Sequence, residues 1–285
     1  MHVLLLRPVP ANDRFGLGPF FRIEPLGLEY VAAALEARGH RATVADLRYS
    51  RPLQHYLRRT RPALVGIACI HTLEADEVLA LAAEVRSACP ETFVVVGGHS
   101  AAAYPPPFFS SSVDAVCVDD GEMVVPALAD ALERGAVLRE VPGLLLRSRE
   151  GSFEQTRSPD RPFALDEVPL PLRRDVDPWR RQYACLLFRP VWLIETARGC
   201  PFRCSFCSVW QLHDRAVRLR SIESVCRDFA ATGPHVAAGY NSRSLSGLAS
   251  QACRMGSTML QAVSTSSRRI NNVASPANAS SSSRS

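Results

Sequence analysis

The sequence predicts an α/β protein: a doubly wound parallel sheet, then the start of a (β/α) barrel, then a disordered tail. Three observations carry this. Across residues 1–135, short and wholly apolar runs alternate with stretches of helical period, the pattern of a parallel sheet covered on both faces. Behind another apolar run at residues 191–196, three cysteines crowd one loop: Cys200, Cys204 and Cys207. Past about residue 236 the periodicity dies, and residues 241–285 hold 14 serines and no acid, too little apolar surface to order a segment.

The elements follow in chain order. Residues 2–7 are a short apolar run, read as the first strand. A loop rich in Gly, Pro and Phe leads to residues 25–40, where Leu28, Val31, Ala32 and Leu35 recur at helical spacing and Gly39 supplies a left-handed end. Residues 42–46 are the second strand, 52–59 a short helix and 63–69 the third strand. A long helix spans 73–88, with Glu74, Asp76 and Glu77 near its start, where the helix dipole favours acids. Residues 92–96 form the fourth strand, closed by Gly97, Gly98, His99 and Ser100; residues 114–118 form the fifth, and a helix runs over 124–134. Five strands in this span suit a flavodoxin-like sheet, which binds ligands at the carboxyl ends of its strands. Gly66, Ala68, Gly97 and Gly98 sit at those ends, where glycine allows close approach to the backbone.

Residues 141–155 read as a hairpin, and six prolines between 158 and 190 read as a linker draped on the surface. The expected organisation is a sheet domain at 1–140, hairpin and linker at 141–190, the barrel start at 191–235 and the tail at 236–285. Residues 191–196 would be the first barrel strand, with the cysteine loop at its carboxyl end, where such barrels place their chemistry. Ser221 is a fair N-cap for the first barrel helix, with Glu223 in its first turn. Arg215, Arg218 and Arg220 are expected on a solvated face.

Composition excludes several classes. All 28 acids and 28 of the 33 basic residues lie at or before Asp228, so the body is neutral and the tail carries the whole +5. That is no nucleic-acid footprint. Every basic residue is arginine, a codon-usage hint of a GC-rich genome. No apolar run reaches the ~18 residues of a membrane span, and the start does not read as a signal peptide. The expected compartment is the cytoplasm, where the nine cysteines serve as metal ligands or buried groups rather than disulfides.

A C-x3-C-x2-C loop can turn three thiolates toward one point, as an iron–sulfur cubane needs. With no fourth ligand close by, one iron stays open to a substrate or cofactor. A zinc knuckle or three unrelated core cysteines are the other readings, but zinc sites usually pair two CxxC-type knuckles and no second pair is present.

The spacing, with Phe206 just before Cys207, resembles the radical S-adenosylmethionine (SAM) superfamily. The resemblance implies a [4Fe–4S] cluster held by Cys200, Cys204 and Cys207, with SAM on the open iron beside Phe206 and cleaved to a 5′-deoxyadenosyl radical. Pro25-Leu26-Gly27-Leu28, Gly97-Gly98-His99 and Asp120-Gly121-Glu122 resemble, in order and spacing, the cobalamin (B12)-binding domain that precedes many radical SAM domains. That implies cobalamin contacts from Leu26, Gly27, Gly66, Ala68, Gly97, Gly98, His99 and Glu122. The D-x-H-x-x-G motif that supplies an axial histidine elsewhere is absent, so no cobalt ligand is expected from it; His71 and His99 are the nearest imidazoles. The stretches 25–40, 97–100 and 195–200 look most like enzymes that methylate hopanoid lipids, and the alternative is an anaerobic magnesium-protoporphyrin ester cyclase. A small-molecule or lipid substrate and an electron donor such as flavodoxin or ferredoxin would be the partners.

A radical SAM core has about six βα units, and one is legible here. The tail resembles a GC-rich gene read in another frame, so the expectation is a chain truncated near residue 236 and inactive as it stands. A cobalamin- or cluster-binding remnant without catalysis is the remaining alternative.

Overall fold

The computed structural model describes residues 1–9, 20–158, 163–213 and 216–236. The tail beyond 236 and Arg215 lie outside the described residues. The chain divides into two compact units, residues 1–220 and 221–285.

The first unit is built on a seven-stranded sheet. Its strands are β1 (His2–Arg7), β3 (Arg41–Asp46), β4 (Leu64–Ala68), β5 (Phe93–Gly97), β6 (Ala115–Cys117), β7 (Leu144–Arg147) and β8 (Phe153–Gln155), in the order β3-β1-β4-β5-β6-β7-β8. The first five are parallel. Their order is the flavodoxin-like one, with the direction of winding reversing at β1.

Alternation along the strands decides what each face buries. Val3 and Leu5 of β1, Val44 of β3 and Val95 of β5 pack with Val31 and Leu35 of helix α1 (Leu26–Ala37) and Val124 and Leu128 of helix α5 (Gly121–Arg134). Leu4, Leu6, Val65, Ile67, Val94 and Val96 face the other way. They pack on Leu53 and Leu57 of α2 (Leu53–Thr60) and Val78, Ala82 and Val85 of α3 (Ala75–Ala88). Each buried leucine contributes about 1.5–3 kcal/mol, so two full faces explain why wholly apolar runs became strands. Gly39 is left-handed at φ 83°, as expected of a helix end. The short helix α4 (His99–Ala103) follows the left-handed Gly98 and was not legible.

The hairpin expected at 141–155 forms, but it is no appendage. β7 pairs antiparallel with β6 and extends the sheet, so the sheet runs past the boundary expected at residue 140. The proline-rich stretch expected on the surface instead sends side chains into the core, where Leu165, Val176 and Tyr183 are fully buried, and ties itself down. Asp175 accepts from the Val44 amide at 2.8 Å, filling a donor on edge strand β3, and the Tyr183 hydroxyl donates to Asp46 at 3.1 Å. A two-residue ladder joins β2 (Phe21–Arg22) to β9 (Ala184–Cys185).

The first barrel strand differs from expectation. Residues 191–196 belong to no strand. Strand β10 (Ala197–Gly199) pairs antiparallel with β11 (Val217–Leu219) instead. A parallel barrel strand needs a parallel neighbour to take its amides, and the nearest edge is the antiparallel one the chain makes with itself. The cysteine loop and the one-turn helix α6 (Val209–Leu212) lie between β10 and β11.

In the second unit, α7 (Ile222–Val236) is the described element. Ser221 caps it: its Oγ accepts from the Ser224 amide at 3.1 Å, and Glu223 stands in the first turn.

Candidate functional site

The carboxyl ends of the parallel strands open into a cleft of about 460 Å³. Every cofactor-pocket residue expected from the sequence lines it: Leu26, Gly27, Gly66, Ala68, Gly97, Gly98, His99 and Glu122. Leu5, Val95 and Cys117 help floor it. The site sits where β1 and β4 part company with their crossovers, the switch point at which such sheets bind ligands.

The glycines do different jobs. A Cβ on Gly98 would stand 2.6 Å from the Cys69 carbonyl oxygen, and its φ of 100° is left-handed, so this glycine is required by the backbone itself. A Cβ on Gly97 would meet Cys117 Cβ at 3.3 Å. Gly27 has nothing within 4 Å of an added Cβ; its missing side chain is open cleft.

The imidazoles separate as well. His99 lines the cleft, and burial followed by the nearby His71 pushes its pKa down. His71 is exposed and does not line it. His213, not singled out from the sequence, also lines the cleft, and burial lowers its pKa despite the Asp120 carboxylate beside it. Both imidazoles are therefore neutral near pH 7. The Cys117 thiol, pushed up to about 12 by burial, stays protonated and is a poor nucleophile or ligand.

The cysteine loop meets the cleft at two places. Ser208, next to Cys207, makes a 2.7 Å hydrogen bond with His99 Nε2. Arg198, two residues before Cys200, lines the cleft and reaches Asp120 and Glu122, each at 2.6 Å. Leu193, Leu212 and His213 complete this wall. Sequence reasoning missed these residues because only the folded chain brings them to the strand ends. It also misplaced two arginines. Arg218 is largely buried and bridges Asp120 at 2.8 Å, and Arg220 is buried, with its guanidinium over the Tyr30 ring. Neither lies on a solvated face.

Cys200, Cys204 and Cys207 are free thiols on one accessible loop, the donor set an iron–sulfur cluster takes. Among the described residues no three His, Cys, Asp or Glu side chains stand close enough to hold a metal, so these thiols must draw together to ligate. Phe206 is 92% exposed and does not line the cleft.

Comparison with known proteins agrees with this geometry. The B12 binding domain family matches residues 20–129, the span that builds α1, α4, the start of α5 and the glycine-lined strand ends. Residues 20–129 are thus similar to a B12-binding domain. It is 36% identical over 215 residues to the hopanoid C-3 methylase of Methylococcus capsulatus, covering 73% of this chain and 40% of that one. It is 27% identical over 214 residues to the anaerobic magnesium-protoporphyrin IX monomethyl ester cyclase of Rubrivivax gelatinosus, covering 70% and 37%. The fold matches the radical SAM methyltransferase TsrM of Kitasatospora setae, solved with cobalamin and a [4Fe–4S] cluster bound, with a TM-score of 0.67 at 19% identity over 82% of this chain and 46% of that one. The chain spans less than half the length of these relatives. No described helix is long and apolar enough to cross a membrane.

Proposed function

We propose that this chain is the cofactor-binding portion of a cobalamin-dependent radical SAM methylase acting on an unactivated carbon, with a hopanoid lipid as the substrate class. One observation carries the reading: a single cleft gathers seven of the residues expected at cobalamin, Leu26, Gly27, Gly66, Ala68, Gly97, Gly98 and His99, and the cysteine loop is fastened to its rim, where Glu122 stands. The likeness to the hopanoid methylase favours methylation over ring closure.

The cleft residues fit a flat ligand. Gly27 leaves open space on one wall and the floor is apolar. Cobalamin would rest on Gly66, Ala68, Gly97 and Gly98, with His99 and His213 neutral beside it. Cys200, Cys204 and Cys207 would hold a [4Fe–4S] cluster with SAM on its open iron, and the exposed Phe206 ring would pack on SAM. When bound, these groups supply one-electron cleavage of SAM and a transferable methyl group. The protein's share is to hold the two sites side by side, which the Ser208–His99 and Arg198–Glu122 contacts support.

The test is hydroxocobalamin binding to the full chain and to Gly27→Leu. The variant is expected to keep its melting temperature, since nothing crowds the new side chain, and to lose at least about tenfold in affinity. Equal affinity in the two proteins would move the cofactor out of this cleft.

A further inference from the structure

Asp120 and Glu122 lie in the segment that resembles the cobalamin motif, yet their carboxylates are already engaged. Arg198 of β10 donates to Asp120 Oδ1 and Glu122 Oε1, each at 2.6 Å, and to both Glu195 oxygens at 3.0 Å. Arg218 of β11 takes Asp120 from the other side, at 2.8 and 3.1 Å. The Glu122 side chain is 5% exposed, so its carboxylate has little surface left for a ligand in the cleft.

The strand pair needs these acids. β10 and β11 share three residue pairs, and Arg198 stands directly opposite Arg218. Two like charges opposite one another destabilise a ladder, and a two-stranded ladder this short is not stable alone. Asp120 bonds to both guanidiniums, and these two attractions offset their mutual repulsion. The Phe163 ring lies beneath both, at 5.8 and 4.8 Å from their guanidinium carbons. Both ends of the cysteine loop are thereby anchored on the first turn of α5 and its N-cap.

Building on the cofactor reading above, we propose that Asp120 and Glu122 are positioning residues for the cluster loop. They clamp the strand pair bearing Cys200, Cys204 and Cys207 to the mouth of the cobalamin cleft and do not contact cobalamin themselves. Arg198 is the arm they hold.

The test compares the full chain with Glu122→Gln, Arg198→Gln and the double variant. In the cofactor-free proteins, amide hydrogen exchange at residues 197–199 and 217–219 should rise about tenfold in each single variant and no further in the double, while β1, β4 and β5 stay protected. After anaerobic reconstitution, each variant should lose iron to a chelator several-fold faster, with hydroxocobalamin affinity within about threefold of the native chain. The proposal is overturned if Glu122→Gln weakens hydroxocobalamin tenfold with strand exchange unchanged, or if the two substitutions multiply instead of saturating. Should a variant lose protection across the whole sheet, Arg198→Lys, which keeps the charge but not the fork, replaces it under the same criteria. A native chain that takes up neither iron nor cobalamin would defeat the cofactor reading, and the exchange arm would still decide the clamp.

Discussion

The strands β1 and β3 to β8 hold their shape through a seven-stranded ladder buried on both faces, whereas β10 and β11 hang on three residue pairs and a ring of ion pairs. The first region supplies most of the cleft from strand ends and helix starts, and the second closes one wall with Arg198, Leu212 and His213. The second has its three thiols accessible and unconverged. On the function proposed above, cluster uptake would be coupled to ordering of the loop and corrin binding would not.

The comparison breaks most visibly at the cysteines. Replacing Cys200, Cys204 and Cys207 together with alanine should take iron after anaerobic reconstitution from about four per chain to none, with hydroxocobalamin affinity unchanged. A parallel loss of cobalamin would show that the two regions do not assemble independently. Next in size is turnover. Given SAM and dithionite, the chain should form no 5′-deoxyadenosine above background. The described residues between 191 and 219 form no closed wall of strands to exclude water or position SAM, and positioning supplies much of such a rate. Steady product formation would mean that the local loop suffices.

Within the first region, Gly98→Val should cost at least about 3 kcal/mol of stability by denaturant unfolding, since the backbone is left-handed and the Cys69 carbonyl occupies the place of a Cβ. Loss of cobalamin by this variant reports unfolding, which is why Gly27 is the cleaner probe. An unchanged midpoint would show that the sheet yields more than its ladder implies.

The smallest effect concerns Glu29, a fully buried carboxyl of α1. Burial first and Glu24 second push its pKa up to about 9. The unfolded chain releases this proton above about pH 4.5 while the folded chain keeps it, so the associated stability is full below pH 4.5 and declines as pH rises toward 9. Glu29→Gln should therefore gain about 1–3 kcal/mol at pH 8.5 and nothing below pH 4.5. A pH-independent difference would place an ionised carboxylate there.

What the chain's pattern revealed follows from range. The parallel strands, their helices, the Gly39 helix end and the Ser221 cap depend on residues within one turn or one strand of each other. A short apolar run has few options once both faces must be covered. The cleft residues were legible as well, because strand ends and motif glycines are local signals. The barrel strand at 191–196 failed for the converse reason. A strand exists only with a partner, and β10 found its partner at 217–219, some twenty residues away.

The order of residues thus determined on its own which segments are apolar on two faces, where the backbone must turn left-handed, and that three thiols share one short loop. These depend on side-chain chemistry and spacing along the chain. Tertiary structure alone decided that the hairpin joins the sheet, that the linker fills the β3 edge, that Arg218 and Arg220 are buried, and that Asp120 and Glu122 bind Arg198. Each of those outcomes joins residues far apart in the chain, as Val44 and Asp175 are, 131 positions apart. A buried charge accepts only an opposite charge at hydrogen-bonding distance, so its partner is chosen by where the fold puts it and not by its neighbours in the chain.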